Sequence, residues 1–372
     1  MSDAPKIVAE VALDDALQKT LDYQIPPQWI GNLSIGMRVM VPLRNRKRQG
    51  TIVTLKESSS FPKLSPIADV ISDKVFLPPD LFTLAKWISQ YYCTDLSKVI
   101  KTILPSSVRG KAKPKEQLLI ISNLSLNQLK EECDTLRRTA PPQAQVLDAL
   151  LKCPKGMLLS ELMETAEVSR SPISTLIKKK ILALQKVQID RSPLDGEEYF
   201  PTKAKILNPE QKETLEKICS CIEENRFEVR LIHGITGSGK TEVYLQAIET
   251  ALQLKKGVLF LVPEIALTSQ MIERLKSRFR EKIAILHHRL SQGERHDAWH
   301  HIRSGNAPIV IGARSAVFSP IPNLGLIIVD EEHEATYKQS DESPLYHARD
   351  VAVMRGKIVG AAVVLGSATP SL

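Results

Sequence analysis

The sequence predicts a multidomain chain in three parts. A mainly-β region covers residues 1–108, a small helical module covers 118–200, and an α/β lobe on a parallel sheet covers 201–372. Three observations predict this. Short β-like runs broken by Pro and Gly fill the first part. Helix-period segments fill the second. Near-continuous apolar runs alternate with amphipathic stretches in the third.

The third part is the most legible. VRLIHGI, VLFLVP, KIAILH, PIVIGA, LGLIIVD and AAVVLGS are apolar along their whole length. Strands of that kind are buried on both faces, which implies a parallel sheet covered by helices. The first run leads into GITGSGKT at residues 234–241, which fits the phosphate-cradling pattern G-x-x-x-x-G-K-[ST]. Gly234, Gly237 and Gly239 let the backbone turn its N–H groups around a phosphate, with Ile235, Thr236 and Ser238 completing the loop. Lys240 would reach the β/γ-phosphates of ATP, and the Thr241 hydroxyl would ligate Mg²⁺. The following stretch is helical in period, with Val243, Ala247, Ile248, Ala251, Leu252 and Leu254 near one face.

LGLIIVDEEH is an apolar strand ending in acid. Its end would set Asp330 near the loop as a second Mg²⁺ ligand, with Glu331 beside it to orient water as a base. Asn208 caps a helix with Pro209 at its first position. Gln211 is then both a capping-box residue and a candidate for an adenine edge. LVPEIALTSQ, IGARSAVFSP and LGSATPS each pair a strand with a hydroxyl-rich turn suited to backbone phosphates. Arg314 and Ser315 are the leading candidates there. The GSAT turn is expected to hydrogen-bond back to the acidic motif.

In the first part, KIVAEVAL, LDYQIP, MRVMVPL, GTIVTLKE and IADVISD suit strands of a small barrel or sandwich, and a helical stretch follows. Arg44, Arg46, Lys47 and Arg48 crowd the tip of one expected hairpin, a phosphate grip or a solvated turn. Residues 109–117 are basic, polar and Pro-containing, so they read as a linker. The module then offers PPQAQVLDALLK, LLSELMETAEV and SRSPISTLIKKK as three helices, a strand LALQKVQID and a polar DGEEYFP that suits a wing. Ser171 as N-cap and Pro172 at the first position would start the third helix. In a winged helix that helix shows Ser174, Thr175, Lys178 and Lys179 outward. The lysines read equally as a solvated helix end.

Composition bounds the remaining classes. No apolar run approaches the ~20 residues of a membrane span, and the acidic start is not a signal peptide. Cytoplasm is the expectation, with no membrane partner. The cysteines Cys93, Cys133, Cys153, Cys219 and Cys221 are scattered, so neither a disulfide framework nor a zinc site is visible. The net charge of +8 mildly favours a polyanionic partner. His287, His288, His300 and His301 have no evident partners for a metal site. No Ser-His-Asp arrangement with an elbow motif and no LSGGQ-like signature is present, which sets aside serine-hydrolase and ABC-type readings. A translocase subunit of a restriction complex fits the lobe but not the LDY…MRVMVPL region.

GITGSGKTEVYL, VPEIALT, GARSAVFSP, DEEHEATYKQ…YHARDVAVMR and LGSATPSL, in that order, resemble the first RecA-like P-loop lobe of superfamily 2 helicases. Their wording resembles the PriA replication-restart family. LDYQIP…GMRVMVPLRNRKRQGTIV is similar to that family's DNA-3′-end-binding domain, and the module to its winged helix, so the resemblance covers almost the whole chain. It implies a 3′-to-5′ DNA helicase that hydrolyses ATP with Mg²⁺, binds forked and single-stranded DNA, and works with primosome proteins and single-stranded DNA-binding protein. It places Leu21, Asp22 and Tyr23 in a pocket for a nascent 3′-terminal base, and 62–70 supplies no evident basic partner for it. It places residues 334–349 in an aromatic-rich loop where Tyr337 and Tyr346 would stack on bases, worth ~1–3 kcal/mol each, or else anchor a long loop. Ala313 stands where the family has Thr. The family continues past the equivalent of Leu372 with a second lobe, a cysteine-rich insertion holding zinc, and an arginine that completes the ATP site. The resemblance thus implies that this polypeptide alone binds DNA and nucleotide without unwinding; the alternative is a truncated fork-binding module with a vestigial or incomplete ATP site.

Overall fold

A computed structural model describes residues 7–14, 19–71, 75–109, 116–153, 156–188, 204–263, 269–279, 282–287 and 290–371. The chain divides into two compact units, residues 1–111 with 192–372 in one and 112–191 in the other.

The first unit begins with five antiparallel strands, β1 (Val8–Leu13), β2 (Thr20–Gln24), β3 (Arg38–Leu43), β4 (Arg46–Lys56) and β5 (Asp69–Val70), in the order β2-β1-β4-β3-β5. All five expected strands are present. Alternation sends Ala9, Val11, Leu13, Val39, Val41 and Ile52 into one core. The β3–β4 hairpin turns through Arg44 and Asn45, with Arg44 in the left-handed region at φ 53°. Helices α1 (Pro79–Tyr91), α2 (Leu96–Ile103) and α3 (Ser106–Arg109) follow. Leu81, Leu84, Ala85 and Ile88 of α1 share a helix face and are buried. They join the cluster that contains Val351 and Ala352.

The second unit holds β6 (Glu116–Ser122), α4 (Leu126–Thr139), α5 (Pro141–Lys152), β7 (Met157–Leu158), α6 (Leu159–Thr165), α7 (Arg170–Lys178) and β8 (Leu182–Gln188). Its antiparallel sheet has the order β7-β6-β8. The expected helices are α5, α6 and α7, and the expected strand is β8. β6 and α4 were not foreseen. β6 begins inside the segment read as a linker, and α4 opens with a capping box between Ser125 and Gln128. The start of α7 is also corrected. Its N-cap is Ser169, so Ser171 is not the cap and Pro172 sits at the third helical position. Proline is tolerated there because N–H groups of the first turn have no intrahelical partner. Lys178 and Lys179 are exposed, while Ser174 and Thr175 are half-buried. The expected wing lies outside the described residues.

The lobe of the first unit contains α8 (Pro209–Glu223), β9 (Glu228–His233), α9 (Lys240–Gln253), β10 (Gly257–Leu261), α10 (Ser269–Phe279), β11 (Ile283–Leu286), α11 (Gln292–Arg303), β12 (Ile309–Gly312), β13 (Leu324–Val329), α12 (Ala348–Val359) and β14 (Ala362–Ser367). Its six strands are all parallel, in the order β11-β12-β10-β13-β14-β9. The period of two splits each strand between two cores. Val258, Phe260, Leu326 and Ile328 pack with α8 and α9. Leu259, Leu261, Ile327 and Val329 pack with α1 and α12. Every residue of β10 and β13 is buried, as the apolar runs require. β9 lies at the sheet edge and leaves Val229 and Leu231 exposed. Leu254, expected on the buried face of α9, caps that helix and is exposed.

Arg355 is fully buried where the first region meets the lobe. It donates to the carbonyls of Val317 and Ser319, each at 2.7 Å, and reaches Asp80 of α1 at 3.3 Å. Its partners come from the turn after β12 and from α1, so the charge is compensated where burial would otherwise be costly.

Candidate nucleotide and DNA sites

Three motifs meet because their strands are neighbours. The phosphate loop follows β9, the acidic motif follows β13, and the serine-rich turn ends β14, which lies between them. Gly234 N–H donates to the Ser367 carbonyl at 3.1 Å, and Glu332 N–H donates to the Gly366 carbonyl at 3.0 Å. The central strand thus holds both motifs. Gly366 is obligatory there, because a Cβ would lie 1.6 Å from the Tyr244 hydroxyl.

The loop itself runs from an exposed stretch, 235–238, into α9. Gly239 has φ 87°, and a Cβ on it would meet Gln211 Nε2 at 2.4 Å. Gln211 accepts from Asn208 N–H at 2.9 Å in the capping box and donates to the Ser238 carbonyl at 2.8 Å. A capping residue therefore also braces the loop. Lys240 is buried. Its Nζ donates to the Gly234 carbonyl at 2.6 Å and stands 3.8 Å from Glu331 Oε1.

Asp330 accepts a hydrogen bond from the Tyr244 hydroxyl at 3.1 Å. Tyr244 lies one turn beyond Thr241, so Thr241 is on the same side of α9 as this carboxylate. Burial and then the neighbouring Glu331 charge push the Asp330 carboxyl above its ordinary range. The Tyr244 hydrogen bond and Lys240 oppose that shift. A buried carboxylate beside a second acid is a place where a divalent cation relieves an electrostatic penalty, so this donor set fits Mg²⁺. Bound there with a nucleotide, the ion would neutralise phosphate charge. Glu331 sits at φ 46°, a conformation that non-glycine residues adopt under constraint and often at functional positions.

The acidic motif is tied to the turn after β14 as expected. His333 Nδ1 and Ser367 Oγ are 2.6 Å apart. Buried Glu332 accepts from Ser371 N–H and Oγ, both at 2.8 Å, and from Arg349 at 2.8 Å. Tyr244 and Arg349 were absent from the sequence-based candidates. Their positions, one in the helix after the loop and one in HARD, were visible. Their partners were not.

Two tyrosine assignments are corrected. Tyr337 and Tyr346 are each only 1% exposed, so neither ring can stack on a base in this structure. The Tyr337 hydroxyl donates to the Asp330 carbonyl at 2.7 Å, and Tyr346 packs edge-on against Phe318 at 5.1 Å. They anchor the segment between β13 and α12. Arg314, half-buried, donates to the Lys338 carbonyl at 2.8 Å, while Ser315 is exposed.

On the N-terminal sheet, alternation along β2 decides which side chains face outward. Tyr23 points into the core with its hydroxyl on the Pro42 carbonyl at 3.1 Å, which corrects its assignment as a DNA-facing side chain. Asp22 faces the other way. It is held by Lys56 Nζ at 3.0 Å and by Ser59 Oγ at 2.7 Å. Lys56 also lies 2.8 Å from Glu10, the cross-strand partner of Asp22. A basic partner of Asp22 is thus present in Lys56, brought in by β4 and not by 62–70. Burial opposes ionisation of Glu10, but hydrogen bonds from Lys56 and Thr20 hold its carboxyl below the ordinary range. Arg44, Arg46 and Lys47 are exposed at the hairpin tip, and Arg48 is half-buried beside them.

A phosphate loop, an acidic strand end and a serine-rich turn on adjacent parallel strands define a helicase-type P-loop lobe. Residues 204–372 match the family described as type III restriction enzyme, res subunit, and residues 10–105 match a 3′ DNA-binding domain. The chain belongs to the family of the replication restart protein PriA. It is 43% identical over 371 residues to that protein of Chlamydia pneumoniae, covering 99% of this chain and 49% of the relative. It is 45% identical over 369 residues to that of Treponema pallidum, covering 98% and 44%. It is 33% identical over 430 residues to that of Bacillus subtilis, covering 98% and 53%. The chain spans about half the length of these relatives.

Proposed function

We propose that this chain is the DNA-engaging and nucleotide-binding part of an ATP-dependent 3′-to-5′ helicase of replication restart. The observation that carries the reading is the convergence of three motifs on β9, β14 and β13, in one unit with a 3′ DNA-binding region. Lys240 and the N–H groups of 234–239 take the β/γ-phosphates, Thr241 and Asp330 take Mg²⁺, Glu331 orients water, and Gln211 meets the adenine edge. A phosphate entering the loop competes with the Gly234 carbonyl for Lys240, which frees the ammonium to follow the nucleotide.

For DNA, Asp22 with Lys56 receives a 3′-terminal nucleotide, and the hairpin bearing Arg44, Arg46, Lys47 and Arg48 grips a branched backbone. Arg314 and Ser315 hold a single strand across the lobe, and α7 of a winged helix adds phosphate contacts through Lys178 and Lys179. The substrate is a stalled or branched fork in the cytoplasm, and the partners are primosome proteins and single-stranded DNA-binding protein. Loop residues 235–238 are exposed, which supports a half-site that is open to solvent. The polypeptide by itself binds fork and nucleotide without unwinding.

The test is fork binding, ATP turnover and strand separation by this chain, on forks with and without a free 3′ end at the branch. Tighter binding to the free 3′ end and no strand separation are expected. Equal binding to both forks removes the 3′-end reading. Helicase-rate turnover with unwinding removes the half-site reading.

A further inference from the structure

A cavity of about 350 Å³ opens between α2–α3 of the N-terminal region and the far edge of the lobe. The Asp22 pocket and the nucleotide motifs lie elsewhere. Its walls include Ile103, Leu286, Leu290 and Phe318. Among its polar lining residues, Ser107, Ser319 and Trp299 are deeply buried, at 5%, 2% and 5% exposed. Their Ser107 Oγ, Ser319 Oγ and Trp299 Nε1 atoms make no hydrogen bond among the described residues. Buried polar groups are almost always paired, so three unpaired ones around one cavity mark a place built for a ligand.

The chemistry narrows the ligand. Trp299 Nε1 can only donate, each serine hydroxyl can donate, and Arg295 adds a cation at the wall. The ligand is therefore rich in acceptors. The apolar walls argue against a bare phosphate, whose charge would be buried against hydrocarbon. They suit the faces of a planar ring. At about 350 Å³ the space lies at the small end of ligand sites, enough for one heterocycle and too small for a duplex.

The location narrows it further. Leu286 ends β11, and Ser315, Phe318 and Ser319 follow β12, so the cavity lies at the carboxyl end of the sheet. Ligands of open parallel sheets bind at that end. β12 and β13 are separated only by β10, about 10 Å at normal strand spacing. A strand crossing the lobe at Ser315 would pass both places.

We infer that this cavity takes an unpaired base of a DNA strand, stacked among the apolar walls and hydrogen-bonded by Ser107, Ser319 and Trp299. The inference rests on the DNA-binding reading above. The base would touch both the N-terminal region and the lobe, so a strand in the cavity would tie the two together.

The test uses the chain with Trp29→Phe and Trp87→Phe, which leaves Trp299 as the only tryptophan of the three. Its fluorescence is followed during titration with a twelve-residue oligothymidylate and with an abasic oligomer of the same length and charge. Thymidylate is expected to change Trp299 emission saturably and to bind more tightly than the abasic strand. The double variant Ser107→Ala and Ser319→Ala should bind thymidylate about five- to tenfold more weakly. Its melting temperature should stay level or rise, because unpaired hydroxyls are removed. Equal affinity for the two oligomers with silent Trp299, while forked DNA still binds, overturns the cavity and leaves the DNA reading intact. Undiminished thymidylate affinity in the double serine variant also overturns it. Loss of binding to every DNA, the fork included, overturns both.

Discussion

Replacing Tyr337 separates an anchor from a stacking platform. The ring is 1% exposed and its hydroxyl donates 2.7 Å to the Asp330 carbonyl. Burial and the Asp330 charge push that hydroxyl far above its ordinary pKa, so it stays a donor at all working pH. Tyr337→Phe keeps the ring and deletes one buried hydrogen bond, a loss of about 1–2 kcal/mol. Tyr337→Ala also empties the ring's place in the core, for about 3–5 kcal/mol. In a unit this large each kcal/mol lowers the melting temperature by about 2 °C, giving roughly 2–4 °C for Phe and 6–10 °C for Ala. Differential scanning calorimetry reads the shifts. Fluorescence anisotropy with single-stranded DNA, run well below the transition, should find the affinity of the Phe variant unchanged. The reasoning fails if the Ala variant melts with the parent while its DNA affinity falls by about five- to a hundredfold, the signature of a lost stacking contact.

Asp330→Asn should raise the melting temperature at pH 7 and abolish Mg²⁺-dependent nucleotide binding. The folded pKa of Asp330 lies above its unfolded value, so stability is lost as pH rises through the interval between them, by about 1.4 kcal/mol for each tenfold change in proton affinity. Variant and parent should then converge near pH 4, about the unfolded carboxyl value, in a series of thermal melts. Neutralising Arg44, Arg46, Lys47 and Arg48 together should weaken fork binding and make log K against log[salt] shallower by as much as ~3.5. An unchanged slope in a salt titration rejects the grip. Lys56→Met leaves Glu10 and Asp22 facing each other across β1 and β2. About 1 kcal/mol should be lost at pH 7. Because the folded pKa of Glu10 is depressed, that loss should fade as pH falls through it, which urea unfolding at several pH values will read.

Much of this was legible from the chain because local chemistry and fold agreed. Apolar runs such as LGLIIV could only be strands buried on both faces, and Gly239 before Lys240 fixed the loop-to-helix turn. What stayed hidden were partnerships set by the order of strands. Nothing in GITGSGKT says that Ser367 will accept from Gly234, because β14 comes between β9 and β13 only in space. Lys56 escaped notice for the same reason, since it reaches Asp22 across β1 from β4. The tyrosines misled because burial is a property of the packed segment. YKQ and LYH read as loop aromatics until Phe318 and Asp330 claim them. β6 and α4 were missed because basic, polar residues precede one and a capping serine hides the other.

The central claim is that β9, β14 and β13 together present one Mg²⁺-nucleotide site. Equilibrium titration of a fluorescent ATP analogue onto this chain, with and without Mg²⁺ and beside Lys240→Ala, tests it most directly. The account predicts saturable binding that needs Mg²⁺ and weakens by about ten- to a hundredfold in Lys240→Ala, the worth of a charge-assisted contact to phosphate. Binding of equal strength in both proteins, or binding indifferent to Mg²⁺, would contradict it.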